Sequence, residues 1–174
     1  TLVVHSTTKY LTGNGTVTGG CVVDSGKFDW MASEKFPSLS QPEPAYHGLT
    51  FGAALGPMAF TFHSIAIGLR DLGMTMNPQG AHYTLMGIET LSLRMDRHVE
   101  NAVKVATWLE THPAVEAVTY AGLPSSPYYD RVEKICPRGA GALFTVALKG
   151  GYDACIKLVD SLEIFSHVAN LGDT

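Results

Sequence analysis

An apolar run, Leu2-Val3-Val4, is followed by His5-Ser6-Thr7-Thr8-Lys9-Tyr10-Leu11-Thr12-Gly13-Asn14-Gly15. Three hydroxyl side chains in a row stand directly before a lysine, and glycines follow it. A lysine amine attacks a carbonyl only after losing its proton, and burial or a nearby cation lowers its pKa enough for that. Lys9 comes just after a run that reads as a buried strand, so its stem is expected in a low-dielectric pocket. Ser6, Thr7 and Thr8 offer hydroxyl donors, and the turn around them offers backbone N–H groups, a combination that suits a phosphate. Gly13, Gly15 and the pair Gly19-Gly20 permit close backbone approach and positive φ. A phosphate held beside a lysine amine meets both needs of pyridoxal phosphate, an anchor for its tail and an amine for its aldehyde. The same residues also read as a polar turn between two strands with Lys9 in solvent, because Ser/Thr-rich turns are common. Spacing alone favours the plain turn.

The elements that must position these residues are short. Residues 1–5 form an apolar, β-branched strand without alternation, which predicts burial on both faces as in a parallel sheet. Residues 16–23 resume a strand, ended by the turn cluster Asp24-Ser25-Gly26. Residues 27–55 are rich in Pro, Ser, Gly and aromatics and show no periodicity; a loop this long is usually functional. Tyr46 and His47 within it are placed either at a pocket mouth or in a surface loop packed by its own aromatics. Residues 58–72 read as a helix.

Asn77-Pro78 predicts a helix start, since Asn caps free N–H groups and Pro fits the first turn. From Ala81 the apolar positions Leu85, Ile88, Leu91, Met95, Val99, Ala102, Ala106 and Leu109 recur every three or four residues. One long helix is therefore expected, with Glu89, Arg94, Arg97, Glu100 and Lys104 on its solvated face and His112-Pro113 at its end. A strand over 115–120, a helix over 129–135, a strand over 142–148 and a helix over 153–162 complete a β-α-β-α series. The fold class is α/β, with a subdomain junction near residues 72–78.

The 174 residues suffice for a sizeable core, with 45% of them hydrophobic. A net charge of −4 without blocks of like charge argues against a nucleic-acid surface. No apolar run reads as the roughly 20 residues that cross a bilayer. Cys21, Cys136 and Cys155 are odd in number and lack a CxxC spacing, so buried or half-buried thiols in a reducing compartment are expected. The seven histidines form no HxxxH pair, and no metal site is indicated. The chain opens in mid-strand at Thr1 and closes on Asn170-Leu171-Gly172-Asp173-Thr174 with no helix behind it, which raises the expectation of a piece of a longer polypeptide.

The stretch HSTTKYLTGNGTVTGG resembles the cofactor-lysine segment of the Cys/Met-metabolism family of pyridoxal-phosphate enzymes. Asp24-Ser25-Gly26-Lys27-Phe28-Asp29-Trp30 and Pro44-Ala45-Tyr46-His47-Gly48 resemble its O-acetylhomoserine sulfhydrylase branch. Gly87-Ile88-Glu89-Thr90-Leu91, Leu93-Arg94-Met95-Asp96-Arg97-His98, Tyr120-Ala121-Gly122-Leu123-Pro124-Ser125 and Phe165-Ser166-His167-Val168-Ala169-Asn170 continue the likeness across the chain.

This resemblance implies a fragment of a fold-type I pyridoxal-phosphate transferase. Residues 1–75 would be the end of the large cofactor domain with its Schiff-base lysine loop, and residues 76–174 the start, and most, of the smaller C-terminal α/β domain. Lys9 matches the lysine that bonds to the cofactor aldehyde and relays protons. Ser6 and Thr8 match the hydroxyl residues that bind the cofactor phosphate. Asn170 falls where relatives place a Ser or Asn near the substrate carboxylate. The family's Asp for the pyridine nitrogen and its ring-stacking aromatic lie upstream of these residues, and its carboxylate-gripping Arg lies downstream, so the chain alone is expected to be inactive.

The implied activity is replacement at Cγ of O-acetylhomoserine by sulfide or methanethiol, in methionine and homocysteine synthesis. Cystathionine γ-synthase or methionine γ-lyase chemistry, or a non-catalytic α/β piece, are the alternatives. The implied partners are a small amino-acid substrate and sulfide, with no nucleic acid and no membrane. The intact protein is expected in the cytoplasm as a dimer of dimers.

Overall fold

A computed structural model describes residues 2–173. The chain falls into two compact units, one ending at Leu85 and the other beginning at Met86. The fold is mixed helix and sheet.

In the first unit, β1 (Leu2–Ser6) and β2 (Gly20–Asp24) form an antiparallel ribbon with Leu2 opposite Asp24 and Ser6 opposite Gly20. The expected doubly buried strand of a parallel sheet is not found. Thr7 N–H donates to Gly19 O at 2.9 Å directly beyond the ladder, so the chain returns on itself. The ribbon has two strands, and Val4 is 75% exposed in it. The second strand begins at Gly20 rather than residue 16, because the polar groups of Gly19 are taken up by Thr7 and Thr8 instead of a continued ladder.

Residues 27–55 are not a structureless loop. They contain α1 (Pro37–Ser40), a 3-10 turn at Pro44–Tyr46 and α2 (Phe51–Leu55). Trp30, Leu39 and Phe51 bury themselves with Ala59 to make this unit's core. Phe36 meets Trp30 edge-on at 5.3 Å, and Phe60 stacks on it at 5.7 Å. Such pairs add about 0.5–1.5 kcal/mol beyond the area they bury. Tyr46 packs edge-on against Phe51 and its hydroxyl donates to Asp71, while His47 turns the chain with φ 56°.

The helical run expected at 58–72 is built from a 3-10 turn at Gly56–Met58, α3 (Ala59–His63) and a π-helical continuation at Ser64–Asp71. By length and composition the stretch Phe51–Asp71, 21 residues with an 18-residue window of mean hydropathy 1.3, does reach what a bilayer crossing requires, contrary to the expectation. A core helix of a folded domain satisfies the same criterion; here Phe51 and Ala59 join the core, while 11% of the window is buried.

Asn77 accepts the Gly80 N–H at 2.7 Å and Pro78 opens α4 (Pro78–Glu89), as the sequence predicts. The single long helix is in fact two. Thr90, at φ −103° and ψ 1°, separates α4 from α5 (Leu91–Glu110). Arg94, expected in solvent, is half-buried and reaches back across this break. Its guanidinium donates to Gly87 O at 2.6 Å and to Thr90 Oγ1 at 3.1 Å. The Gly87 carbonyl, which also accepts the Thr90 N–H at 3.3 Å, is thereby braced across the break.

In the second unit, β3 (Val115–Thr119) pairs antiparallel with β4 (Thr145–Leu148), and α6 (Tyr129–Ile135) and α7 (Gly151–Asp160) give the expected β-α-β-α order. Ala102 and Ala106 of α5 pack with Tyr120 and Leu123 as its core, whereas Leu85 and Ile88 of the expected stripe stay exposed. The Tyr120 hydroxyl donates to Gly141 O at 2.7 Å. Cys155 is half-buried, but Cys21 and Cys136 are exposed, a correction to the expected burial. Cys21 lies opposite His5 on the uncovered ribbon, where no face is sealed.

Candidate functional site

The lysine-bearing turn is built directly on the end of β1. Ser6 is exposed as the last residue of the strand, and Thr7–Leu11 curls into one π-helical turn. Within that turn Lys9 leaves helical geometry, with φ −90° and ψ −128°. The turn is closed by Thr12 N–H to Thr7 O at 3.0 Å and by Gly13 N–H to Lys9 O at 2.9 Å. Lys9 is half-buried. Next to it, burial pushes the Tyr10 phenol above its usual pKa.

Gly19 holds the start of the turn from outside. Its carbonyl accepts the Thr7 N–H. Its N–H donates to Thr8 Oγ1 at 3.0 Å, and the Thr8 hydroxyl donates to its O at 3.3 Å. A Cβ at this position would lie 2.6 Å from both Thr7 Oγ1 and Met76 Cε. Beside this contact is a cavity of about 340 Å³ lined by Thr18, Gly19, Gly20, Met74, Met76 and Asn77, among others. The far end of the turn is held by Thr12, whose hydroxyl meets that of Thr84 on α4 at 3.1 Å. Thr84 in turn donates to Met76 Sδ at 4.0 Å.

The sequence-predicted residues Ser6, Thr8 and Lys9 are thus brought together on one strand end and turn. Asn170 lies in the second unit, beyond α7. It is half-buried, and its side-chain amide donates to Asp173 at 2.8 Å. Residues the sequence reading did not single out are Thr12, Met76 and Thr84; Thr7 is already among its three hydroxyl donors. Thr7 is 2% exposed, and its Oγ1 is buried without a hydrogen-bond partner among the described residues. The Gly19-Gly20 pair was a usable signal for close approach. Nothing in the sequence linked Thr12 to Thr84.

The turn fits a phosphate-bearing aldehyde. Ser6 offers an exposed hydroxyl. Thr8 has its oxygen satisfied by Gly19 while its proton is engaged only at 3.3 Å, longer than a usual O–H···O bond. Thr7 carries a buried polar atom still lacking a partner, and Lys9 supplies an amine on the same turn.

Residues 1–174 match the family model for Cys/Met metabolism PLP-dependent enzymes. The O-acetyl-L-homoserine sulfhydrylase 1 of Thermus thermophilus is 45% identical over 173 residues, covering 99% of this chain and 41% of that protein. The homocysteine synthase of Schizosaccharomyces pombe is also 45% identical, over 99% of this chain and 40% of its own length. A crystal structure from Campylobacter jejuni, provisionally named an O-acetylhomoserine (thiol)-lyase and holding N'-pyridoxyl-lysine-5'-monophosphate, superposes with a TM-score of 0.89 at 34% identity. It covers 99% of this chain and 43% of that one. The chain spans about two fifths of the length of the curated relatives it matches.

Proposed function

Because this chain belongs to the family of Cys/Met metabolism PLP-dependent enzymes, we propose that it carries the cofactor-lysine part of an O-acetylhomoserine sulfhydrylase. The observation that carries this reading is the Ser6–Lys9 turn, which brings the exposed Ser6 and the half-buried Thr8 and Lys9 onto one strand end and turn, in a chain whose relatives bear that name. Residues 1–75 are the end of the cofactor domain in this reading, and residues 76–174 the start of the C-terminal domain.

Pyridoxal phosphate, when bound, supplies an electron sink for negative charge developing on the substrate carbon atoms. The hydroxyls of Ser6 and Thr8 hold its phosphate. Lys9 Nζ would hold its aldehyde, and as a free amine would take the substrate Cα proton and pass protons along the substrate. A base of this kind works best with a pKa near the working pH. Asn170 orients the substrate carboxylate. Overall the Cγ–O bond of O-acetylhomoserine breaks, acetate leaves with the electron pair, and hydrosulfide forms the new Cγ–S bond while keeping its own proton. The partners are accordingly a small amino acid and sulfide. A cytoplasmic location and self-association as a dimer of dimers belong to the same reading.

The test is made on the natural polypeptide that contains this sequence. Incubation with pyridoxal phosphate and borohydride reduction should place the cofactor mass on the peptide containing Lys9, and Lys9→Ala should remove both that mass and the visible absorption band. Turnover of O-acetylhomoserine with sulfide should exceed turnover of cystathionine or methionine. Label on another lysine, or faster turnover of cystathionine or methionine, would overturn the assignment.

A further inference from the structure

The start of the lysine turn is fastened to one residue. Gly19 O accepts the Thr7 N–H at 2.9 Å, Gly19 N–H donates to Thr8 Oγ1 at 3.0 Å, and the Thr8 hydroxyl returns to Gly19 O at 3.3 Å. We propose that Gly19 is a positioning residue, which fixes the direction in which Lys9 leaves its turn and presents the Thr8 hydroxyl proton to an anion. The second half of this statement rests on the reading of Thr8 as a phosphate ligand; the first does not.

A hydroxyl has one proton and two lone pairs. The Gly19 N–H occupies one lone pair and so fixes the orientation of the Thr8 oxygen. The proton is directed at a carbonyl that already accepts a shorter bond from Thr7. A phosphate oxygen offers a stronger, charge-assisted acceptor. When the proton moves to it, Gly19 O keeps the Thr7 N–H, and no polar group of the clasp is left bare. The hand-over is therefore cheap only with this backbone in place.

Sterics explain why the position is glycine. A Cβ at 19 would meet Thr7 Oγ1 and Met76 Cε at 2.6 Å, closer than real Cβ contacts allow. Met76 can swing away, but Thr7 is buried and continuous with the turn. Any side chain at 19 thus pushes on Thr7, two residues from Lys9. Gly20 differs, since a Cβ there meets only His5 O, at 3.3 Å.

Two readouts on the natural polypeptide that contains this sequence test this. The first is amide hydrogen exchange without cofactor, and the second is titration with pyridoxal phosphate followed by borohydride trapping at Lys9. Gly19→Ala should speed exchange of the Thr12 and Gly13 amides about tenfold and weaken trapping at Lys9 by a similar factor. Gly20→Ala should change both far less. Should Gly19→Ala fail to fold, Thr8→Val should speed exchange of the Gly19 amide, and Thr8→Ser should restore it. Unchanged exchange in Gly19→Ala, or faster exchange with undiminished trapping, overturns the positioning role. A natural polypeptide that shows the expected exchange pattern but takes no pyridoxal phosphate overturns the functional reading and leaves the positioning of the turn standing.

Discussion

The hydroxyls of Thr12 and Thr84, 72 positions apart, meet at 3.1 Å in a buried contact that ties the end of the lysine turn to α4. Thr84→Val keeps the shape of the side chain and takes away the partner of Thr12. A buried hydroxyl left unpaired costs about 1–3 kcal/mol, whereas replacing both partners by apolar isosteres costs far less. Chemical denaturation should show Thr84→Val clearly destabilised and the double variant Thr12→Val/Thr84→Val closer to the parent. Additive losses would show that the two hydroxyls do not act as a pair.

Arg94 should behave as a helix-break cap rather than a surface charge. Its guanidinium serves both Gly87 O and Thr90 Oγ1, a forked arrangement that lysine cannot reproduce. Arg94→Ala and Arg94→Lys are expected to lose a similar amount, about 1–2 kcal/mol in denaturant unfolding. Full retention of stability in Arg94→Lys would mean that charge alone is what matters.

Burial raises the Tyr120 phenol above its ordinary pKa. The raised folded pKa means the neutral phenol is retained in the folded state while the unfolded chain ionises. Stability is therefore fully present below about pH 10 and declines as pH rises through the folded pKa. Tyr120→Phe should lose about 1 kcal/mol near neutrality, from the bond to Gly141 O, and should show a shallower alkaline decline. Thermal melts between pH 8 and the alkaline limit would reveal a profile identical to the parent if the assignment is wrong.

Glu100 is held below the usual carboxylate range, first by its hydrogen bond to Lys104, then by the Lys104 and Arg97 charges. A depressed folded pKa contributes stability above the unfolded pKa and loses it as pH falls through the folded one. The pair is exposed, so the contribution is small and screened by salt. Glu100→Gln should flatten the acid limb of the stability profile slightly at low ionic strength, and the difference should vanish in high salt. A difference that survives high salt would contradict a solvent-exposed pair.

What was legible in the sequence was local. Asn77-Pro78 announced α4 because a cap is made with a group three residues away. The bounds of α6 and the β-α-β-α order followed from breakers and short periodic runs. The lysine turn was legible as a group of hydroxyls, an amine and glycines, since those lie within one contiguous stretch.

The tertiary structure decided the rest. Residues 27–55 looked structureless because Trp30, Leu39 and Phe51 contribute single anchors from separate short elements rather than a stripe. The break at Thr90 was hidden by an apolar period that runs on through it, and only the structure shows Arg94 folding back on Gly87 and Thr90 across it. Gly19 and Thr84 became neighbours of the lysine turn only when the chain doubled back in the β1–β2 ribbon and α4 came to lie against Thr12. Spacing in a sequence fixes what a residue can do within a few bonds of itself. Which polar groups meet across a core is settled by packing, because each buried donor and acceptor must find its partner in space rather than along the chain.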